Sequence, residues 1–515
     1  MTAPAAPTPA ATHVRVAIIG AGFAGIGAAI ALSRTGERSF VVLERGDRVG
    51  GTWRDNAYPG VACDVPSHLY SYSFLPNPDW SHVFARGDEI RSYLERAVDG
   101  DALRGHVRFA TAMTGMLWDD EWAVWRIQTT GGPLTADAVI LAAGRLTEPK
   151  LPDVPGLDTF TGDLVHSARW RDDVQLAGRR VAVIGTGASA VQLVPRLAEV
   201  AESVTVFQRS APWIVPRPDR PYTDDEREEF AADPAVIARI RAAQFWQGEA
   251  MFAARAGDPD AIAAARAEAL AHLAAQVGDP VLRAQLTPDY EIGCKRRLIS
   301  SDYYPAFASG AARLEPSALA RLDAGVLVAE SGARHEVDVI VFATGFETAE
   351  QPYAALVAGT HGQTLAEHWS GGMTAYASTT VHGFPNLFIV NGPNAGLGHN
   401  SAVEMIETQL SYILGALDHL AVSGGPLEVS AHAERAYTAE IDRMASTSVW
   451  LTGGCSSWYI DPRSGRLTLL WPGSATAFRD RNGIFDPAPY LIGAPVGGEA
   501  ATADHPLTAH EGASR

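Results

Sequence analysis

Val16-Ala17-Ile18-Ile19-Gly20-Ala21-Gly22-Phe23-Ala24-Gly25 sets the reading of the whole chain. Residues 14–19 read as a short strand buried on both faces, and the small residues after Gly25 read as a helix. Three glycines in six positions mark a tight turn between the two. The four glycines in the stretch 16–32 (Gly20, Gly22, Gly25 and Gly27) also argue against a lipid-facing helix, although the stretch is uncharged and near membrane-span length. Residues 40–43 read as the next strand, which completes a strand–helix–strand unit. A second unit begins near residue 180. It has a strand at 181–184, the turn Gly185-Thr186-Gly187-Ala188-Ser189-Ala190, a helix through residue 198 and a strand at 204–207.

Each turn has the glycine spacing that lets a backbone approach a pyrophosphate at a helix N-terminus. The pattern is weak alone and strong in this context, because an informative residue ends the following strand in each unit. Glu44 and Arg209 each lie 24 positions after the first glycine of their loop (44 − 20 and 209 − 185). A carboxylate at that position accepts from a ribose hydroxyl pair and repels a 2′-phosphate. A guanidinium grips that phosphate with its fork. The first unit, with Gly20, Gly22, Gly25 and Glu44, therefore suits FAD. The second, with Gly185, Gly187, Ser189, Ala190 and Arg209, suits NADPH, and Ser210 adds a hydroxyl donor. Two such sites in one chain imply hydride transfer from nicotinamide to flavin.

The bulk properties fit a globular multidomain protein. The chain has 515 residues, is 47% hydrophobic and 19% charged, and carries a formal charge of −18. An acidic surface disfavours nucleic-acid and anionic-membrane partners. Cys63, Cys294 and Cys455 are odd in number, far apart and without metal-ligand spacing. They are expected to be reduced, buried thiols of a cytoplasmic protein, and no metal site is expected. The first residues lack the basic and apolar regions of a secretory signal. Further strands are expected at 138–143, 337–343 and 387–390, a linker at 149–156, and helices across 224–279.

The domain expectation is α/β, with two doubly wound Rossmann-like domains. The FAD domain is discontinuous, 13–150 and 345–490. The NADPH domain spans 160–344 with a helical insertion at about 222–290. Residues 1–12 and 491–515 are expected to be disordered ends.

What the flavin does is the remaining question. Disulfide reductases share the two-site layout but need a cysteine pair at the flavin, and no close pair stands in the sequence. Phe160-Thr161-Gly162-Asp163-Leu164-Val165-His166-Ser167-Ala168-Arg169-Trp170 resembles the FxGxxxHxxxW fingerprint of the Baeyer–Villiger monooxygenases, within the class B flavoprotein monooxygenases. Gly50-Gly51-Thr52-Trp53, Tyr58-Pro59-Gly60, Cys63-Asp64, Gly293-Cys294-Lys295-Arg296, Ala343-Thr344-Gly345-Phe346, Gly383-Phe384-Pro385-Asn386 and Trp471-Pro472-Gly473 match in the same way.

The resemblance implies that a C4a-peroxyflavin, formed from reduced flavin and O₂, attacks a ketone to give an ester or lactone. It places Gly51, Thr52 and Trp53 along the FAD, with Asp64 and Tyr70 close by and Met113 against the adenine side. It puts Lys295 on the 2′-phosphate with Arg209 and Ser210, Arg296 beside the flavin paired with Asp64, and Trp458 over the nicotinamide. Arg296 and Asp64 are thus the candidate catalytic pair. An N- or S-oxygenating flavin enzyme is the alternative, and a non-catalytic nucleotide-binding redox sensor a second one. His166 is expected to serve as a hinge residue rather than an acid or base. The substrate pocket is expected from the helical insertion, the 394–401 loop and the region near Trp450. The protein is expected to be a monomer or small homo-oligomer.

Overall fold

The computed structural model describes residues 12–100 and 103–493. Two sheets organise them. The first has eight strands and is built around Thr12–Ile19, with Leu134–Leu141 parallel on one side and Phe40–Leu43 followed by Val107–Arg108 parallel on the other. Beyond Leu134–Leu141, strands Val124–Thr129 and Met113–Asp119 run antiparallel, and Val357–Ala358 closes that edge. Leu387–Ile389 pairs with the end of Leu134–Leu141, so strands from both halves of the chain share the sheet. One face packs against helices Phe23–Thr35 and Ala402–Ser423, which touch each other. The other face buries Trp118, Trp125 and Trp369.

The second sheet has five strands, all parallel, in the order Ala312–Glu315, Ser203–Phe207, Arg180–Ile184, Val339–Phe342, Asp163–His166. Parallel strands covered on both faces carry unbroken apolar runs, and Val181, Ala182, Val183 and Ile184 are all buried.

Helices fill the connection between strands Ser203–Phe207 and Ala312–Glu315 of that unit: Asp224–Ala232, Pro234–Ala250, Phe252–Ala256, Pro259–Gln276 and Pro280–Gln285. Three of them start at an Asp-Pro pair (Asp233, Asp258 and Asp279). The aspartate accepts from a first-turn N–H, and proline takes the first helical position, where no N–H is needed. Helix Pro234–Ala250 reaches across to the first sheet's core with Val236, Ile237 and Phe245. Its Arg241 donates to the carbonyls of His68, Leu69 and Ser71 and pairs with Glu404. The insertion is therefore a strut between the two units.

Several expectations need correction. The strand expected at 138–143 runs from Leu134 to Leu141. Ala142 and Ala143 leave it because they pass over Gly20, whose peptide lies against the Ala142 carbonyl. The strand expected at 337–343 is Val339–Phe342. Thr12, Leu491 and Ile492 are paired in strands, so the ordered chain extends into both expected tails. The remainder of those tails lies outside the described residues.

The cysteine expectation fails more seriously: Cys294 and Cys455, 161 positions apart, are joined in a disulfide, and Cys63 alone is free and buried. Separation along the chain says nothing about distance once loops from distant segments meet.

Candidate functional site

The two glycine loops repeat one piece of backbone chemistry. Gly20 has φ +106°, and a Cβ there would stand 2.6 Å from the Ala142 carbonyl oxygen. Gly185 has φ +113°, and its Cβ would stand 2.6 Å from the Ala343 carbonyl oxygen. A Cβ on Gly25 would fall 1.8 Å from the Gly20 carbonyl oxygen, so the helix can lie against the turn only with glycine there. The helices that follow, Phe23–Thr35 and Ala188–Ala198, start at Gly22 and Gly187 with no side-chain cap. Six of the longer helices elsewhere are capped, by Thr223, Asp233, Asp258, Ser401, Ser430 and Ser474. Uncapped first-turn N–H groups at both glycine loops are donors kept for an anion, which fits a dinucleotide pyrophosphate at each. Gly51, at φ +51°, packs against Gly22, so Gly51, Thr52 and Trp53 border the first loop.

Glu44 is buried at the end of its strand. Its carboxylate accepts from the Ala21 N–H at 2.8 Å and the Gly46 N–H at 2.7 Å, and it pairs with Arg54. It is thus fixed beside the first loop, with one lone-pair position left over for a ribose hydroxyl. The sequence reading missed Arg54, which stands only as one polar residue after the Gly-Gly-Thr-Trp run. Thr111 N–H donates to the Glu44 carbonyl at 2.8 Å, which brings the strand start at Met113 to the same end of the sheet.

At the second loop, Thr186 Oγ1 donates to the Ser210 carbonyl at 2.9 Å and ties the turn to the end of strand Ser203–Phe207. Lys295 Nζ donates to Ser210 Oγ at 2.9 Å and lies 4.5 Å from the centre of the Tyr290 ring. Burial and the charge of Arg209 push the Lys295 ammonium down from its ordinary range. Arg209 is exposed and has no ion pair among the described residues. Two adjacent cations, neither of them ion-paired among the described residues, form a receptor for a phosphate dianion.

The pair the sequence proposed acts on Tyr70, which packs on Phe23 of the first loop's helix, and Asp64 follows the stretch 58–62 that docks on Gln192 of the second loop's helix. Arg296 Nε donates to Asp64 Oδ2 at 2.6 Å, and a second guanidinium nitrogen lies equally close. The carboxylate of Asp64 raises the Arg296 pKa above its already high value. Burial pushes the Asp64 carboxyl up, and the charge and hydrogen bond of Arg296, with help from Arg217, more than offset it, so Asp64 sits below the ordinary range. Both groups are charged at neutral pH.

Trp53 Nε1 donates to Tyr70 OH at 3.2 Å with the rings edge to face, and both pack on the first core. Tyr58 OH donates to Gln192 Oε1 at 2.9 Å, so the Tyr58-Pro59-Gly60 turn docks on the helix of the second loop. Trp458 is 42% exposed and meets Tyr459 at 4.4 Å between ring centres, and Tyr459 is buried under electrostatic influence of Arg296. Trp458 and Met113 make no direct contact with Arg296 or Asp64. His166 caps the short turn Ser167–Arg169, accepting from the Ala168 N–H at 3.1 Å, and packs on Phe346. The crossings between the sheets run side by side there: Lys150 N–H donates to the Gly345 carbonyl and Glu347 N–H to the Glu148 carbonyl, both at 2.9 Å.

No helix among the described residues is long and apolar enough to cross a membrane, and no group of three or more His, Cys, Asp or Glu among them is placed to hold a metal ion.

Two dinucleotide loops in one chain, together with an arginine–carboxylate pair, define a flavoprotein oxidoreductase fed by a nicotinamide cofactor. Residues 17–238 match the family model described as pyridine nucleotide-disulphide oxidoreductase. That span contains both glycine loops but neither bridged cysteine. A Baeyer-Villiger monooxygenase of Streptomyces coelicolor is 48% identical over 96% of both chains. One of Pseudomonas aeruginosa is 42% identical over 94% of this chain and 93% of its own. In three dimensions, the closed crystal structure of a cyclohexanone monooxygenase superposes with a TM-score of 0.83 at 29% identity, covering 94% of this chain and 100% of the other. A steroid monooxygenase bound to NADP superposes at 0.81 with 32% identity, covering 91% and 97%. The chain belongs to the Baeyer–Villiger monooxygenases, and is an FAD-containing, NADPH-dependent enzyme of that family.

Proposed function

We propose that this enzyme oxygenates a ketone by the reaction ketone + NADPH + H⁺ + O₂ → ester or lactone + NADP⁺ + H₂O, with Arg296 as its catalytic cation. The pairing of Arg296 with Asp64 at 2.6 Å carries this reading. The first unit, 13–150 with 345–490, takes FAD along Gly20, Gly22, Gly25, Glu44, Gly51, Thr52 and Trp53, with Tyr70 and Met113 bordering it. The second, 160–344, takes NADPH along Gly185, Gly187, Ser189, Ala190, Arg209, Ser210 and Lys295. The bound flavin, reduced by NADPH, supplies the activated oxygen.

The protein's own groups do the rest. Arg296 presents a permanent positive charge where negative charge develops on the oxygen donor and on the attacked carbonyl oxygen. Asp64 holds the guanidinium in one orientation by a charge-assisted hydrogen bond and moderates its field. Trp458, exposed on its loop beside Tyr459, closes over the nicotinamide half of the cofactor and excludes water. A fixed cation is of most use to an anionic, nucleophilic oxygen donor, which favours ketone oxygenation over N- or S-oxygenation.

A panel of ketones and a thioether, scored for NADPH consumption and for product by mass, tests the reading. Arg296→Ala is expected to keep NADPH-driven flavin reduction and to lose ester formation by about 10²–10³-fold. Ester formation by that variant at the unaltered rate removes Arg296 from the mechanism.

A further inference from the structure

The surroundings of Tyr459 hold more positive charge than the reaction above uses. Arg296 is matched by Asp64. Two further guanidinium groups, Arg145 and Arg255, act electrostatically on the same Tyr459 and on Arg296. Among the described residues neither has an ion pair.

Arg145 follows strand Leu134–Leu141 by way of Ala142, Ala143 and Gly144, the stretch that passes over Gly20. Its side chain makes one hydrogen bond, from Nη1 to the Leu469 carbonyl at 3.0 Å, which leaves most of its donors without a protein acceptor. A Cβ on Gly396 would stand 2.4 Å from both terminal nitrogens, so glycine at that position is what gives the fork its room. Arg255, only 6% exposed, donates to the Met251 and Gly398 carbonyls, each at 3.1 Å and each neutral. Gly398 in turn faces Trp450. The two guanidinium groups thus reach the helical insertion, the 394–401 loop and the Trp450 segment, the three parts from which the pocket was expected.

Burial pushes both groups down to about 10, so both stay charged at neutral pH. Three guanidinium groups act on Tyr459 against the carboxylate of Asp64, in a protein whose formal charge is −18. A buried guanidinium with no counter-charge opposes folding unless a bound anion uses it. The proposed cofactor phosphates are met elsewhere, at the two uncapped helix ends and at Arg209 and Lys295.

We propose that the ketone taken by this enzyme carries a carboxylate, anchored by Arg145 within the added field of Arg255, while Arg296 faces its carbonyl. This rests on the ketone-oxygenating reading and names the substrate class of the same site. A guanidinium fork suits the two oxygens of a carboxylate, and holding the acid end sets which carbonyl along the chain meets Arg296.

The test uses the wild-type holoenzyme with a series of methyl-ketone carboxylic acids of increasing chain length, each beside its methyl ester and primary amide. The best acid is expected to exceed its methyl ester in kcat/KM by about 30-fold, the scale of one charge-assisted hydrogen bond. Arg145→Gln is expected to bring that ratio close to one, and Arg145→Lys to restore part of it. A saturated alkanoate, which cannot be oxygenated, is expected to bind the wild type in calorimetry and to bind Arg145→Gln at least about 10-fold more weakly. Equal or better turnover of the esters by the wild type overturns the proposal. So does Arg145→Gln slowing acid and ester alike, which assigns Arg145 to the flavin instead. If neutral ketones are oxygenated and acids are not preferred, only the carboxylate anchor fails. If no ketone gives an ester, the oxygenation reading fails, and alkanoate binding still decides on the anion site.

Discussion

Arg209 stands exposed just beyond its strand with no ion pair among the described residues, and the Lys295 ammonium lies 2.9 Å from the neighbouring Ser210 hydroxyl. Both are proposed to discriminate by charge, because a 2′-phosphate is the one feature that separates NADPH from NADH. Arg209→Ala is expected to raise KM for NADPH about 10–100-fold, with little change for NADH, so the ratio of the two kcat/KM values collapses. Steady-state kinetics with both cofactors measures it, and an unchanged ratio removes Arg209 from the phosphate site. At this scale the sequence was highly legible. Glu44 and Arg209 were identified by counting, because the distance from a glycine turn to the end of the next strand is a local property of the strand–helix–strand unit. Arg54, the partner of Glu44, was not, because nothing in its neighbours marks a polar residue that will turn back onto a strand end.

Strand Asp163–His166 ends under the paired crossings 148–150 and 345–347, and His166 closes that end by capping the next turn. Burial pushes the His166 imidazole down to about 4, and burial likewise holds His68, packed against Tyr222 and Phe230, down to about 4. A histidine with a depressed folded pKa binds fewer protons in the folded state. Its contribution is therefore complete above the unfolded value near 6.5 and is lost as pH falls toward about 4. Melting temperature is expected to drop steadily across that window, each histidine accounting for on the order of 1–3 kcal/mol. His166→Gln and His68→Gln are expected to flatten the profile in thermal melts at stepped pH. A melting temperature independent of pH in this range contradicts the burial argument. The reading of His166 as a hinge residue rather than an acid or base agrees with its place under the crossings, although its role there is a proposal.

The molecule as a whole is tied together by contacts between segments remote in sequence. Helix Pro234–Ala250 braces the first core through Phe245 and Arg241, and Cys294–Cys455 joins the segment bearing Lys295 and Arg296 to the loop bearing Trp458. A covalent link across 161 positions removes freedom from the unfolded chain, by about 2–4 kcal/mol on typical figures. Cys455→Ser, or dithiothreitol treatment of the wild type, is expected to lower the melting temperature and to raise KM for NADPH more than it changes kcat. Identical melts of the two proteins under oxidising conditions show that the link contributes nothing to the native state. The bridge also withdraws the sequence argument for reduced thiols, and with it one of the supports for a cytoplasmic location.

Without coordinates, the chain already determined its two nucleotide-binding units and the family it resembles, and it put Glu44 and Arg209 at matching positions after their glycine turns. All of these rest on residues within a few dozen positions of one another, where glycine turns, apolar runs and strand length constrain the backbone directly. Only the folded chain decided which distant side chains meet. Arg296 reaches Asp64 across 232 positions, Cys294 finds Cys455, and Arg145 and Arg255 both act on Tyr459. Such encounters depend on how whole layers pack, and no local preference of the backbone records that.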